Sequence, residues 1–122
     1  MALCILAGAK TVALAVSAFT LSWTHSVEKI TWQENWQVTP AGLELIEARV
    51  KGSGAGMEPP EDAVLQDGWW VYRPKVPALK KLSLASSGAT SSGWTICAKG
   101  KCLSVGDTAG EAVLLEPCRR DG

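Results

Sequence analysis

From Phe19 to Val38 apolar and polar side chains alternate with a period of two, and the phase changes once on the way. Phe19, Leu21, Trp23, His25 and Val27 fall on one face, and Thr20, Ser22, Thr24 and Ser26 on the other. Beyond Lys29 the phase switches. Ile30, Trp32, Trp36 and Val38 fall together, opposed by Thr31, Gln33, Asn35 and Gln37. Successive side chains of a strand project to opposite faces, so this stretch is β-structure and cannot be an amphipathic helix. A two-residue connection at Glu28-Lys29 accounts for the change of phase. It pairs Val27 with Ile30, His25 with Trp32, Leu21 with Trp36 and Phe19 with Val38. A β-bulge in one long bent strand is the alternative.

The same pattern of short strands and tight turns extends along the chain. "AVLQ" and "WWVY" flank Asp67-Gly68, a strong hairpin signal that sets Leu65 opposite Trp70 and Val64 opposite Val71. "GWTICAKGKCLSV" turns at Lys99-Gly100 and sets Cys97 opposite Cys102, Ile96 opposite Leu103 and Trp94 opposite Val105. "TPAG" is a turn, "LELIEARV" a third strand of the first meander, "LKKLSLAS" a further strand, and "EAVLLEPC" a closing one. "KGSGAGMEPPED" and "SGATSSG" are loops. Eight to ten short strands with no long 3.6-residue period predict an all-β fold, a single antiparallel β-barrel or β-sandwich domain built from hairpins over residues 1–122. The length, 122 residues, suits one domain.

The apolar N-terminus, "MALCILAGAKTVALAVSAFTLSW", admits several readings. A signal peptide requires positive charge ahead of the apolar run, and here Lys10 sits in its middle. That lysine also interrupts any transmembrane helix. A buried Ala-rich helix remains open, but two short strands turning at Gly8-Ala9 are favoured, with Leu6 facing Thr11, Ile5 facing Val12 and Leu3 facing Leu14. The compartment expected on this reading is the cytoplasm, with a periplasmic or inner-membrane-associated location as the alternative. Twelve basic residues balance twelve acidic ones without clustering, so neither nucleic acid nor an anionic lipid surface is an expected partner.

His25 is the only histidine. As a general base it needs a nucleophile and an orienting carboxylate, and Ser26 points to the opposite strand face. Glu34 lies diagonal to His25 in the expected hairpin and is its one local partner. The plainer reading is a core-edge histidine packed on Trp23 and Trp32. Cys97 and Cys102 can form a cross-strand disulfide or remain reduced, and the expected compartment makes the reduced form the default. Zinc ligation by the pair is a weak alternative, because a four-residue spacing around a tight hairpin is not a zinc knuckle. "GSGAG" runs into "MEPPED", where proline and acidic residues oppose a phosphate loop, and is read as a surface loop. Trp69 and Trp70 are adjacent, so one indole must leave the core face, and this is the best pattern-based pointer to a binding surface. No cofactor is expected.

"FTLSWTHSVE", "GLELIEARVKGSGAGM", "DGWWVY" and "GWTICAKGKC" together resemble the bacterial domain of unknown function 1850 family, over about residues 19–105. The matching motif is Thr24, His25, Ser26, Val27 and Glu28, followed by Gly54, Ala55 and Gly56. The family has no established activity. Its members are small β proteins often encoded beside tripartite ATP-independent periplasmic (TRAP) transporters of the TAXI type. The resemblance thus implies a non-enzymatic accessory role with a transporter subunit as partner. His25, Ser26, Glu28, Glu34, Trp69 and Trp70 are the candidate binding residues. The alternative is a small-ligand-binding or hydrolytic β-barrel using His25 and Glu34.

Overall fold

A computed structural model describes residues 2–24, 31–51, 62–84, 93–106 and 110–118. Eleven strands are found among them: β1 (Ala2–Ala7), β2 (Lys10–Leu14), β3 (Ala18–Thr24), β4 (Thr31–Thr39), β5 (Gly42–Lys51), β6 (Val64–Gln66), β7 (Trp69–Tyr72), β8 (Leu82–Leu84), β9 (Trp94–Ala98), β10 (Lys101–Val105) and β11 (Val113–Cys118). All pairs are antiparallel. They form a four-stranded sheet of order β2-β1-β11-β8 and a seven-stranded sheet of order β10-β9-β3-β4-β5-β7-β6. Of the two expected architectures the chain adopts the sandwich, since neither sheet closes on itself.

Alternation decides which residues enter the space between the sheets. Leu3 and Ile5 of β1, Val113 and Leu115 of β11 and Leu84 of β8 meet Phe19 and Leu21 of β3, Trp36 and Val38 of β4, Leu43 of β5 and Ile96 of β9. Leu3, Leu43 and Leu115 are wholly buried. Removing any one of these leucine side chains would cost about 2–5 kcal/mol through lost transfer energy and the cavity left behind. Neither β6 nor β7 contributes to this shared core.

The hairpins at Gly8-Ala9, Asp67-Gly68 and Lys99-Gly100 have the expected registers. In the last two, both turn residues have positive φ, 51° and 83° at Asp67 and Gly68 and 50° and 77° at Lys99 and Gly100. That is the backbone twist a two-residue hairpin requires.

The β3–β4 register differs from the expected one. Trp23 faces Trp32, Leu21 faces Glu34 and Phe19 faces Trp36, and the described pairing ends at Thr24–Thr31. Every pair is displaced by two residues, which keeps each side chain on its face but changes its neighbour. Trp32 therefore does not face His25. The Glu28-Lys29 connection and the strand end at Val27 lie outside the described residues.

A bulge in β5 supplies a phase change of its own. Asn35 pairs with Glu47 and Trp36 with Leu45, leaving Ile46 as the extra residue. Before it Leu43 and Leu45 share the inner face with Val38 and Trp36, and after it Ala48 and Val50 do, both buried.

Candidate functional site

Glu34 stands on the inner face of the large sheet, in a row that runs from Leu21 on β3 through Glu34 to Ala48 on β5 and Tyr72 on β7. A carboxylate on a core face needs a partner. Trp36, two residues further along the same face, donates its indole N–H to the Glu34 Oε1 at 3.1 Å. Burial pushes the Glu34 pKa up, and the Trp36 hydrogen bond only partly offsets it. Tyr72 is raised as well, first by burial and then by the negative charge of Glu34. Ala48, which stands between them in the row, is buried.

Aromatic rings border this pair. Trp23 and Trp32 lie parallel with centroids 6.0 Å apart, and Trp94 tilts against Trp23 at 4.8 Å. Trp70 follows Val50 in the same row. The half-buried inner surface at this end of the sheet is a tryptophan shelf with one desolvated carboxyl group.

The two adjacent tryptophans separate as the period of two demands. Trp70 lies on the inner face opposite Val50 and Leu65. Trp69 lies on the outer face opposite Lys51. Arg49 places its guanidinium 4.9 Å from the Trp69 ring centroid and Lys51 its ammonium at 5.6 Å, so cations cover the outer indole. Both indoles are half-buried. The exposed apolar surface falls instead on the edge strand beside them, where Val64 is 55% and Leu65 57% exposed.

The outer face of the large sheet is a polar ladder. Thr20 donates to Asn35 at 3.2 Å, Asn35 donates to Glu47 at 3.4 Å, and the Arg49 Nε donates to the Gln33 side-chain carbonyl. Cys97 and Cys102 are joined there as a disulfide across the β9–β10 hairpin. Bonded to each other, these sulfurs are not available as the zinc ligands weighed from the sequence. A second disulfide joins Cys4 to Cys118 and ties β1 to β11. Sequence reasoning did not pair these two, because 114 residues separate them and nothing local links them.

His25, Ser26 and Glu28 lie outside the described residues, as do Val27, Gly54, Ala55, Gly56 and the rest of the "GSGAG" loop. Of the candidate binding residues the structure thus places Glu34, Trp69 and Trp70. It puts Glu34 and Trp70 on one face and Trp69 on the other. Trp36, whose hydrogen bond partly offsets the effect of burial on Glu34, and Tyr72, whose own pKa the Glu34 charge raises, were not singled out from the sequence.

A family model described as a domain of unknown function (DUF1850) matches residues 19–105. No curated protein and no solved structure matches the chain.

Proposed function

The chain belongs to the DUF1850 family, and from that premise we propose that it is a non-enzymatic binding domain, accessory to a TAXI-type tripartite solute transporter. The observation that carries the binding role is the exposed β6–β7 edge. Val64 and Leu65 present apolar side chains on opposite faces of a three-residue edge strand, with Trp70 behind Leu65. Large apolar groups concentrated on a sheet edge are a surface for a protein partner. The transporter assignment rests on the family resemblance in "FTLSWTHSVE" and the segments that accompany it. Two disulfides support a periplasmic working compartment, because such bonds persist where the surroundings are oxidising.

The test is retention of a transporter membrane subunit or its solute-binding subunit by the tagged protein in mild detergent. The expected result is recovery with the native chain and loss with the Val64→Lys, Leu65→Lys double variant, at unchanged thermal unfolding. Recovery by both proteins would remove the hairpin from the interface. Recovery by neither would overturn the accessory role.

A second reading, a site for a small ligand or for hydrolysis, is favoured by the desolvated Glu34 carboxyl beside Tyr72 and Trp36. It predicts that Glu34→Gln removes ligand binding or turnover while the fold persists. Unchanged binding or turnover in that variant would remove it.

A further inference from the structure

The sandwich is open along the flank where β2, the edge of the small sheet, comes beside β10, the edge of the large one. Both strands carry one pattern on their inward faces. In β2, Val12 and Leu14 stand opposite Ile5 and Leu3, with Lys10 two residues earlier on the same face. Leu103 and Val105 of β10 stand opposite Ile96 and Trp94, again with a lysine, Lys101, two residues earlier. Between them lies a cleft of about 330 Å³, walled by Val12, Leu14, Val16, Ala98 and Leu103. Val12 is 42% and Leu103 37% exposed, an unusual placement for inward-facing aliphatic side chains.

Among the described residues of the lining, the polar side chains are the lysines Lys99 and Lys101. Lys99 reaches across from the β9–β10 turn and donates to the Ala15 carbonyl at 2.9 Å, closing one end of the cleft, and Lys101 stands on its rim. Among the described residues no acidic side chain lines it. An apolar trough at the lower end of the ~300–1,000 Å³ range of ligand sites, rimmed by ammonium groups, is complementary to an anion with an alkyl tail. It does not suit an added β-strand. Inward-pointing lysines on edge strands are a device that blocks strand addition, and a peptide would bring backbone polar groups against the aliphatic walls.

We propose that the β2–β10 cleft binds a free medium-chain or long-chain carboxylate, alkyl chain between the sheets and carboxylate at Lys99 and Lys101. This site is separate from the β6–β7 edge, so the two proposals stand or fall independently.

Calorimetric titration of the disulfide-intact chain with dodecanoate, below its micellar concentration, tests it. The expected result is saturable one-to-one binding. It weakens by about tenfold or more in Leu103→Glu and in Lys101→Glu, and for dodecyltrimethylammonium in place of dodecanoate. Amide shifts of the native chain with dodecanoate should map to residues 12–16 and 98–103, a readout that needs no variant to fold. Absence of saturable binding would overturn the proposal, as would equal binding of the cationic amphiphile or shifts confined elsewhere. An acidic apolar peptide binding the cleft more tightly than dodecanoate, or a native dimer that Leu103→Glu dissociates, would overturn it in favour of that occupant.

Discussion

The indole N–H of Trp36 donates to the Glu34 carboxylate two residues back on the same face of β4, at 3.1 Å, in a setting where burial has already raised the carboxyl pKa. The folded state therefore holds a proton on Glu34 more tightly than the unfolded chain does. Stability from this group is fully present below its ordinary value of 4.5 and is lost as pH rises through the folded pKa. Glu34→Gln keeps the carbonyl acceptor for Trp36 and removes the charge. It should raise the thermal midpoint at pH 7.5, leave it unchanged near pH 4, and flatten the decline between them. Calorimetric midpoints of both proteins across that range check this. A midpoint lowered equally at every pH would show that the charge itself is not what Glu34 costs the fold.

Tyr72 is the only tyrosine, so a phenolate absorbance titration reads this one group. Its ionisation should lie above 10.0 in the native protein, for burial first and the Glu34 charge second. In Glu34→Gln the second cause disappears and the first remains. The titration should shift down without returning to the value of a free phenol. Folding stability linked to Tyr72 is lost as pH rises through its raised value, so the titration is best kept short of unfolding. An unshifted curve would mean that Glu34 and Tyr72 do not share the inner face as described.

Gly42 opens β5 with φ at 132°, and a Cβ there would sit inside the contact shell of the Leu79 carbonyl oxygen. The close approach exists because Leu43 and Leu79 exchange both backbone hydrogen bonds, N to O at 2.7 and 2.9 Å, where the connection after β7 comes back against the start of β5. Gly42→Ala meets both a disfavoured backbone angle and a backbone atom that cannot move aside. It should cost about 2–4 kcal/mol. Gly8→Ala, at φ 62° in open space, meets only the first and should cost about 1 kcal/mol. Equal losses in denaturant unfolding would remove the Leu79 contact as the cause.

The three hairpins were legible because turn residues and flanking alternation lie within a dozen positions of each other and fix register together. The β3–β4 register was not legible. Its closing residues, 25 to 30, offer neither Gly nor Asn, and a displacement by two leaves the inward and outward pattern intact. The β5 bulge was also hidden. "LELIEARV" reads equally well as one straight strand, and only the pairing to Asn35 and Trp36 shows Ile46 to be extra. Glu34 could be placed on the inner face from sequence, with Trp36 two residues along the same face, while Leu21 required the true β3–β4 register and Tyr72 the sheet order. The open flank between β2 and β10 was out of reach, since it depends on which strands become edges of different sheets.

The two disulfides should differ in what they contribute. Cys4 and Cys118 close a loop over nearly the whole chain, a separation of 114 residues, and hold β1 against β11 at the centre of the small sheet. Cys97 and Cys102 are five residues apart in a hairpin already fixed by its Lys99-Gly100 turn. In the chain-entropy picture the first restricts the unfolded state by about 5 kcal/mol and the second by about 2 kcal/mol. Cys4→Ser with Cys118→Ser should therefore lower the denaturant midpoint far more than Cys97→Ser with Cys102→Ser. The second pair of changes should leave β9 and β10 paired, as their register is set by backbone and turn. Guanidinium unfolding of both double variants checks the order. A larger loss from the hairpin pair would mean that β10, at the edge of the large sheet and beside the open cleft, is held in place chiefly by its sulfur bridge.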